Sequence, residues 1–272
     1  MSEENVRRIG AYRVETVHPG VFAIDDDQQE SMYLICGEKR ALLIDTGSNP
    51  EPLMPMLRQL WQGEIVLALT HAHFDHMYHC DEFASVSVGA EDIRAWRKSL
   101  WLVVFLGTVG SGKKAKRYPM KRYHPLRTGD TVDLGGKTLR VLEAKGHSPG
   151  SLIFIDEADK CLFIGDAFGW MWMPGCSVLS EYIESLNALI LALKPYDGYL
   201  VLEGHRLQNT PAGVALEDMP SARQDAENMR DLCAKILAGE LQPVKQERFF
   251  GFRTAEYAGC GTHVVIRKSK LK

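Results

Sequence analysis

The sequence feature that most constrains the fold is a cluster of four potential metal ligands at the end of an apolar run. Residues 65–69 predict a buried strand, and His71, His73, Asp75 and His76 follow almost at once. Imidazole nitrogens and carboxylates are the ligands that zinc and similar divalent metals prefer, and one loop cannot easily wrap all four around one ion. We therefore expect two neighbouring ions at a strand end. A polar loop with coincidental histidines is the alternative, which a single histidine would favour.

Further along the chain, three more residues complete a known series. The pattern His-x-His-x-Asp-His, followed at intervals by His147, Asp166 and His205, resembles the signature of the metallo-β-lactamase-fold hydrolases. The resemblance spans roughly residues 10–205. It implies two metal sites bridged by Asp166. The ligands implied for the first site are His71, His73 and His147, and those for the second are Asp75, His76 and His205.

The resemblance also implies a fold. Members of the family are α+β proteins with a four-layer αββα sandwich, in which two face-to-face mixed β-sheets carry helices outside and the metal site at one edge. The sequence agrees with this order, because residues 12–17, 21–24, 31–36 and 41–44 predict an antiparallel meander. We expect one domain over residues 1–272, with an insertion at about 91–123 and a C-terminal extension at about 206–272.

Composition and charge limit the classes of partner. The 272 residues are 45% hydrophobic and 25% charged, as in an ordinary globular protein. The formal charge of −3 provides no basic field for nucleic acid or an anionic membrane, although a local patch can still exist. The acidic N-terminus does not resemble a signal peptide, and the six scattered cysteines predict reduced thiols. We expect a cytoplasmic protein with a small-molecule substrate and no nucleic-acid or membrane partner.

The insertion at about 91–123 is the part that resembles the family least. It combines an amphipathic helix, an apolar run at residues 100–106, a glycine-rich bend and a basic cluster. An apolar segment outside the main sandwich needs a partner to bury it. A lid over the substrate is slightly favoured over a self-association surface, which would make the protein a homodimer. The basic cluster indicates either recognition of an anionic group or a solvated face.

Six further residues are candidates near the metals. Asp45 ends a predicted strand and can accept the second ring N–H of a metal-bound histidine, or cap the helix that starts near residue 50. Tyr78 and His79 stand where many family members have glycines. The remaining candidates follow the bridging carboxylate and predict either an apolar pocket wall or ordinary core: they are Phe168, Trp170 and Trp172.

The predicted chemistry is hydrolysis by two divalent ions, most simply zinc, with iron or manganese as alternatives. Such ions lower the pKa of a shared water, so that a bridging hydroxide attacks at neutral pH. Asp166 would hold both ions, and Asp75 would orient the nucleophile and transfer its proton. The ligand series resembles that of glyoxalase II-like thioesterases, lactonases and phosphodiesterases more than that of true β-lactamases. An ester, thioester, lactone or phosphodiester is therefore the expected substrate.

Two other functions remain open from the sequence. An iron-dependent sulfur dioxygenase on the same fold resembles this motif but uses only His71, His147 and Asp166 around a single iron. A noncatalytic binding protein on a borrowed hydrolase fold is the third possibility, and the intact ligand series argues against it. Metal content separates the three, because they require two ions, one iron and no ion, respectively.

Overall fold

The computed structural model describes most of the chain. The described residues are 5–110, 112–114, 116, 118, 120–168, 170–173, 178–210, 214–249 and 252–272. Their strands form three sheets of eight, five and four strands.

The eight-stranded sheet follows chain order from edge to edge. Its strands are β1 (Val6–Ile9), β2 (Tyr12–His18), β3 (Val21–Asp25), β4 (Ser31–Cys36), β5 (Arg40–Ile44), β6 (Glu64–Ala68), β7 (Val86–Gly89) and β8 (Tyr123–Leu126). Neighbours from β1 to β5 pair antiparallel, and neighbours from β5 to β8 pair parallel. The predicted antiparallel meander is confirmed, and the sheet is mixed as expected.

The five-stranded sheet has the order β14, β12, β11, β10, β9, and the four-stranded sheet has the order β13, β17, β16, β15. The first comprises β9 (Thr131–Asp133), β10 (Thr138–Glu143), β11 (Leu152–Asp156), β12 (Cys161–Gly165) and β14 (Leu200–Glu203). The second comprises β13 (Trp170–Met173), β15 (Lys245–Phe249), β16 (Phe252–Gly259) and β17 (Thr262–Arg267). Strands β12 and β14 pair parallel, so their C-terminal ends lie at the same edge.

Seven α-helices are found in the described part of the chain. They are α1 (Met54–Leu60), α2 (Phe74–Met77), α3 (Ala90–Ala95), α4 (Trp101–Gly110), α5 (Leu179–Leu193), α6 (Arg206–Asn209) and α7 (Ala222–Leu237). A π-helical turn, Trp96–Leu100, joins α3 to α4. None of the described helices has both the length and the apolarity that a membrane span requires.

Three hydrophobic cores fill the spaces between the layers of the fold. The central core joins the two larger sheets face to face, and there the rings of Tyr33 on β4 and Phe163 on β12 lie 5.2 Å apart. A second core packs helices α1 and α4 against the outer face of the eight-stranded sheet. The third packs α5 and α7 between the five-stranded and four-stranded sheets. The predicted αββα sandwich is confirmed.

The covered sheets explain the apolar strand sequences. Every residue of β11 and β12 is buried, because the central core covers one face of these strands and helices cover the other. In the C-terminal part, β15 ends at Phe249 and β16 begins at Phe252, and residues 250–251 between them lie outside the described residues.

Candidate metal centre

Four loops converge at one edge of the two larger sheets, and each follows the C-terminal end of a strand. The loop after β6 carries four of the predicted ligands, and the other loops carry one each. His147 follows β10, Asp166 follows β12, and His205 follows β14. Three groups of candidate ligand atoms, each within 4.8 Å, result from this convergence. They are His71 with His73 and His147, His71 with His76 and Asp166, and Asp75 with His76 and His205.

The first group is formed by three imidazoles that face one another. His147 Nε2 lies 3.1 Å from His71 Nε2 and 2.8 Å from His73 Nδ1. All three rings meet in edge-to-face arrangements. Three nitrogens therefore point at a common space, and these are the three residues that the family resemblance implies for the first metal site.

The group of Asp75, His76 and His205, called the second group from here on, combines two imidazoles with a carboxylate. Asp75 Oδ2 lies 4.0 Å from His76 Nε2 and 3.8 Å from His205 Nε2. Asp166 stands between the groups, since its Oδ2 is 3.4 Å from His205 Nε2 and 3.6 Å from His147 Nε2. Its Oδ1 is 3.6 Å from His76 Nε2. This carboxylate is therefore shared by both groups.

Unsatisfied nitrogens indicate that cations fit this space. The Nε2 atom of His76 is buried and has no hydrogen-bond partner among the described residues. Burial lowers the pKa of His147 to about 3 and that of His71 well below its usual value, so both imidazoles are neutral at pH 7, the form that can bind a metal. Neutral imidazoles that direct nitrogens at one another cannot all be satisfied by hydrogen bonds alone, whereas a divalent ion would satisfy them together.

The carboxylates create a strongly negative environment beside these imidazoles. Burial alone would lower the pKa of His76, but Asp166, Asp45 and Asp75 outweigh it and raise that pKa well above its usual value. Burial would raise the pKa of Asp166, but His205 and His76 hold it well below its usual range. Positive charge is thus favoured at this position, which again fits a site for cations.

Asp45 organises two of the ligands. It has a positive φ of 63° at the end of β5, and its Oδ2 accepts hydrogen bonds from His76 Nδ1 (2.9 Å) and Thr70 Oγ1 (2.7 Å). Because the Thr70 hydroxyl proton is donated to Asp45, its oxygen is left to accept from His71 Nδ1, 3.1 Å away. Both rings then present Nε2 to the site. The helix-capping alternative is contradicted, because Glu82 accepts from the first amides of α1 at Leu53 and Met54.

A residue that the sequence analysis missed, Asp92 on α3, connects two ligand loops. Its fully buried carboxylate accepts hydrogen bonds from Ala72 N (2.8 Å), Ser148 Oγ (2.9 Å) and Gly150 N (2.7 Å). It therefore fixes the His71–His73 segment against the loop of His147. The only sequence signal was an acidic residue next to the apolar positions of an amphipathic helix, which does not identify its partners.

The last ligand loop is anchored to the opposite sheet. Arg206, directly after His205, is 3% exposed and donates to Asp25 Oδ1 and Glu15 Oε2, each at 2.9 Å. His205 Nδ1 lies 3.3 Å from the Gln29 carbonyl oxygen, so Nε2 faces the other ligands. A Cβ at Gly204 would lie 2.3 Å from Asp166 Oδ1, which explains why glycine precedes the ligand.

The residues predicted to line a substrate pocket are not all placed around one pocket among the described residues. His79 is buried, and its nitrogens contact the Asn49 carbonyl oxygen (2.6 Å) and Glu82 (2.8 Å), so protein groups engage both. Tyr78 is also buried, with Lys116 Nζ 4.3 Å from its ring centroid. Phe168 is 1% exposed within the core around α5. The structure thus assigns His79 and Phe168 to the framework. Trp170 and Trp172 lie on β13, and their side chains are outside the described residues.

Helix α4 of the insertion backs the metal loop. Val104, Gly107 and Thr108 form its buried face, and a Cβ at Gly107 would lie 2.5 Å from the ring of Phe74, the neighbour of Asp75. A cavity of about 120 Å³ lies beside this contact. Its lining is largely apolar and consists of Trp96, Trp101, Val104, Phe105, Thr108, Lys116 and Tyr118. The insertion therefore adjoins the second group of ligands.

Five of the six cysteines lie in the described part of the chain, and all five are free. Cys36, Cys80, Cys161, Cys233 and Cys260 form no disulfide among the described residues, and Cys176 lies outside them. Cys80 is buried, and burial raises the pKa of its thiol. This thiol is therefore a framework group rather than a nucleophile.

Comparison with protein families and with known proteins gives consistent results. Residues 25–205 match the model of the metallo-beta-lactamase superfamily. The human acyl-coenzyme A thioesterase MBLAC2 is 28% identical over 226 residues, which is 71% of this chain and 81% of that protein. The hydroxyacylglutathione hydrolase GloC of Haemophilus influenzae is 27% identical over 190 residues, 65% of this chain and 85% of its own length.

A fungal relative and two solved structures are also similar to this chain. The atrochrysone carboxyl ACP thioesterase of Aspergillus fumigatus is 25% identical over 202 residues, 73% of this chain but 43% of its own length. A metallo-beta-lactamase family protein from Thermus thermophilus superposes with a TM-score of 0.56 at 22% identity, with 85% of each chain covered. The B3 metallo-beta-lactamase BLEG-1 has a TM-score of 0.51 at 26% identity over 66% of this chain and 88% of its own.

Proposed function

Because this chain belongs to the metallo-beta-lactamase superfamily and is a hydrolase, we propose that it cleaves thioesters of small molecules with a pair of divalent ions, most simply zinc. The observation that carries the proposal is the convergence of seven side chains into donor groups that share Asp166. A single-ion enzyme needs only one such group. The overlap of the groups therefore favours two ions over the mononuclear dioxygenase.

The choice of thioesters rests on the named relatives. Two are named as thioesterases, acting on acyl-coenzyme A and on an acyl carrier protein, and a third as a hydroxyacylglutathione hydrolase. All three names describe acyl groups carried on thiols. The apolar cavity beside α4 supports the same choice, because it offers space for an apolar acyl group near the metal loop.

The candidate ligands have separate roles in this proposal. His71, His73 and His147 would hold one ion, Asp75, His76 and His205 the other, and Asp166 both. When bound, the ions would lower the pKa of a shared water and polarise the thioester carbonyl. Asp45 keeps His76 Nε2 directed inward, so the donor groups are preorganised.

Asp75 is the candidate for proton transfer. Its side chain is 22% exposed, so one side faces solvent while Oδ2 faces His76 and His205. A carboxylate in this position accepts the proton of the attacking water and passes it to the departing sulfur. Asp166 is already engaged by both ligand groups and lies deeper, at 13% exposure. We therefore assign the proton to Asp75.

The test measures metal content and substrate preference together. The chain is loaded with zinc, manganese or iron, its ions are counted, and kcat/KM is determined for acyl-coenzyme A thioesters, lactones and phosphodiesters. We expect about two ions per chain and the highest kcat/KM for thioesters. One iron with oxygen uptake would replace the proposal by the dioxygenase. Two ions with a preference for phosphodiesters would retain the metal centre but overturn the substrate.

A further inference from the structure

Helix α4 exposes an apolar face that its role in backing the metal loop does not explain. Five of its side chains, Trp101, Leu102, Phe105, Leu106 and Val109, are 42–50% exposed. Their spacing of one, three or four positions places them on one side of the helix, opposite Val104, Gly107 and Thr108. The other large exposed apolar side chains in the described part of the chain lie on other elements or loops: they are Leu191, Leu207, Leu237, Val244 and Phe252. We call these five side chains the α4 face.

Both ends of the α4 face are basic. Residues 93–129 contain ten Lys or Arg and no Asp or Glu, although the whole chain has a net charge of −3. Arg94 pairs with Glu91 (2.6 Å) and Lys116 with Asp81 (2.9 Å), whereas Arg97 and Lys98 before the helix and Lys114 and Lys121 after it are exposed. The charge of the chain is therefore separated, with a positive region around one exposed apolar helix.

Against the expectation from net charge, which indicated no membrane partner, we propose that the α4 face docks on an anionic phospholipid bilayer, with its apolar side chains inserted at the level of the headgroups. Helix α4 carries no charged residue itself, so its exposed Trp, Leu and Phe side chains would insert among the headgroups while the Lys and Arg residues that flank it stay at the membrane surface. Basic residues near the helix add attraction to anionic lipid. The ten residues of α4 span about 15 Å, so the helix would lie in the interface and not cross the bilayer.

The charge distribution argues against a second copy of this chain as the occupant. In a two-fold symmetric dimer the same patch contacts itself. If the two α4 helices ran antiparallel, the basic start of one would meet the basic end of the other. If they ran parallel, like ends would meet. Either arrangement brings positive charges together around the apolar contact, whereas anionic headgroups would neutralise them.

The position of the α4 face also separates it from a lid. The buried face of α4 contacts Phe74 in the metal loop, so the exposed face points away from that loop. Bilayer docking would leave the contact with Phe74 in place. Trp101 and Phe105 also line the cavity beside this contact, whereas Leu102, Leu106 and Val109 do not. The last three residues therefore carry the inference independently of the substrate proposed above.

The experiment uses the full, metal-loaded chain and vesicles of phosphatidylcholine, either pure or with phosphatidylglycerol. We expect cosedimentation with the anionic vesicles at least about tenfold tighter than with neutral ones, and weakening with added salt. Tryptophan fluorescence should shift to the blue on binding, and the shift should shrink in the Trp101→Phe variant while binding persists.

Matched variants separate the apolar and electrostatic contributions. The double variant Leu102→Asp/Leu106→Asp should lose binding by at least about tenfold, whereas Leu191→Asp on α5, at a leucine 64% exposed, should not. Arg97→Glu with Lys98→Glu should abolish the preference for anionic vesicles, whereas Lys235→Glu on α7 should not. Metal content and melting temperature verify that each variant is folded.

Two outcomes would overturn the proposal. The first is vesicle binding that is equal for neutral and anionic lipid and unchanged in Leu102→Asp/Leu106→Asp. The second is a dimer in sedimentation velocity that dissociates in that same variant, which would make another copy of the chain the occupant. Neither outcome would affect the metal count or the preference for thioesters.

Discussion

At the scale of single residues, Asp166 is the side chain on which both donor groups depend. Replacement by asparagine keeps its size but removes the charge that faces His76, His147 and His205. We expect Asp166→Asn to bind fewer than two ions and to lose activity by about 10²-fold or more, with little change in fold. Elemental analysis and kcat/KM provide the measurement. Glu184→Gln on the exposed side of α5 is the control, and full metal content with normal turnover in Asp166→Asn would contradict the shared role.

Asp45 acts on the metals only through its neighbours. Its Oδ2 holds His76 Nδ1 and Thr70 Oγ1, so Asp45→Asn should weaken metal binding by about 10- to 100-fold. Asparagine tolerates the positive φ of 63° at this position, so backbone strain does not explain the loss. Competition with a chelator measures the affinity. An unchanged affinity would show that the ring of His76 is oriented by other contacts.

At the scale of elements, the insertion is joined to the metal centre without supplying a ligand. Helix α4 packs on Phe74, and Lys113 donates to Ser48 Oγ at 2.6 Å. Replacing residues 100–116 by a short flexible linker should change the relative kcat/KM for short and long acyl thioesters more than it changes metal content. The reason is that the linker removes most of the lining of the cavity.

The control for this shortened chain is its own metal count, measured beside the unmodified protein. Loss of both ions would identify the insertion as framework for the centre instead of a determinant of specificity.

The sequence predicts the structure best where the pattern of apolar residues within an element identifies that element without its neighbours. Every ligand follows a strand whose apolar run is visible in the chain, so the ligand loops could be predicted from local patterns. Asp92 could not be predicted, because its partners Ser148 and Gly150 lie more than 50 positions away along the chain. Strand β1 was also missed, because this edge strand contains exposed polar residues and therefore resembles an irregular N-terminal segment in the sequence.

At the scale of the whole molecule, the half-buried carboxyl of Asp225 is expected to make stability depend on pH. Burial raises the pKa of Asp225, in the first turn of α7, to about 7. The unfolded chain releases this proton near pH 4, so the folded state binds one more proton between about pH 4 and pH 7. Stability from this group is therefore present at low pH and is lost as the pH rises towards 7.

Asp225→Asn should remove that dependence. We expect the variant to be more stable than the unmodified protein by on the order of 2 kcal/mol at pH 8, after allowance for partial exposure, and not at pH 4. Urea unfolding at both pH values measures the difference. Asp231→Asn on the same helix, where the side chain is 53% exposed, is the matched control. Equal gains in the two variants would assign the effect to helix charge and not to burial.

Metal removal should also act on the whole molecule. Only the folded chain assembles the seven donors, so bound ions stabilise it in proportion to their binding free energy. Chelation should lower the melting temperature by several degrees, about what a loss of 1–2 kcal/mol produces in a chain of this size, and added zinc should restore it. An unchanged melting temperature in a protein that had held two ions would contradict the role of this centre in coupling the sheets.

The buried ion pairs of Arg206 with Asp25 and Glu15 have a consequence for biosynthesis. They fasten the last donor to strands made among the first 25 residues, so a nascent chain on the ribosome holds an incomplete binding pocket until some three quarters of it has been translated. An ion at the second donor group would therefore await the return of the late strand to the early hairpin, whereas the three histidines of the first group are all translated by residue 147. Maturation of the second group is thereby tied to completion of the tertiary structure.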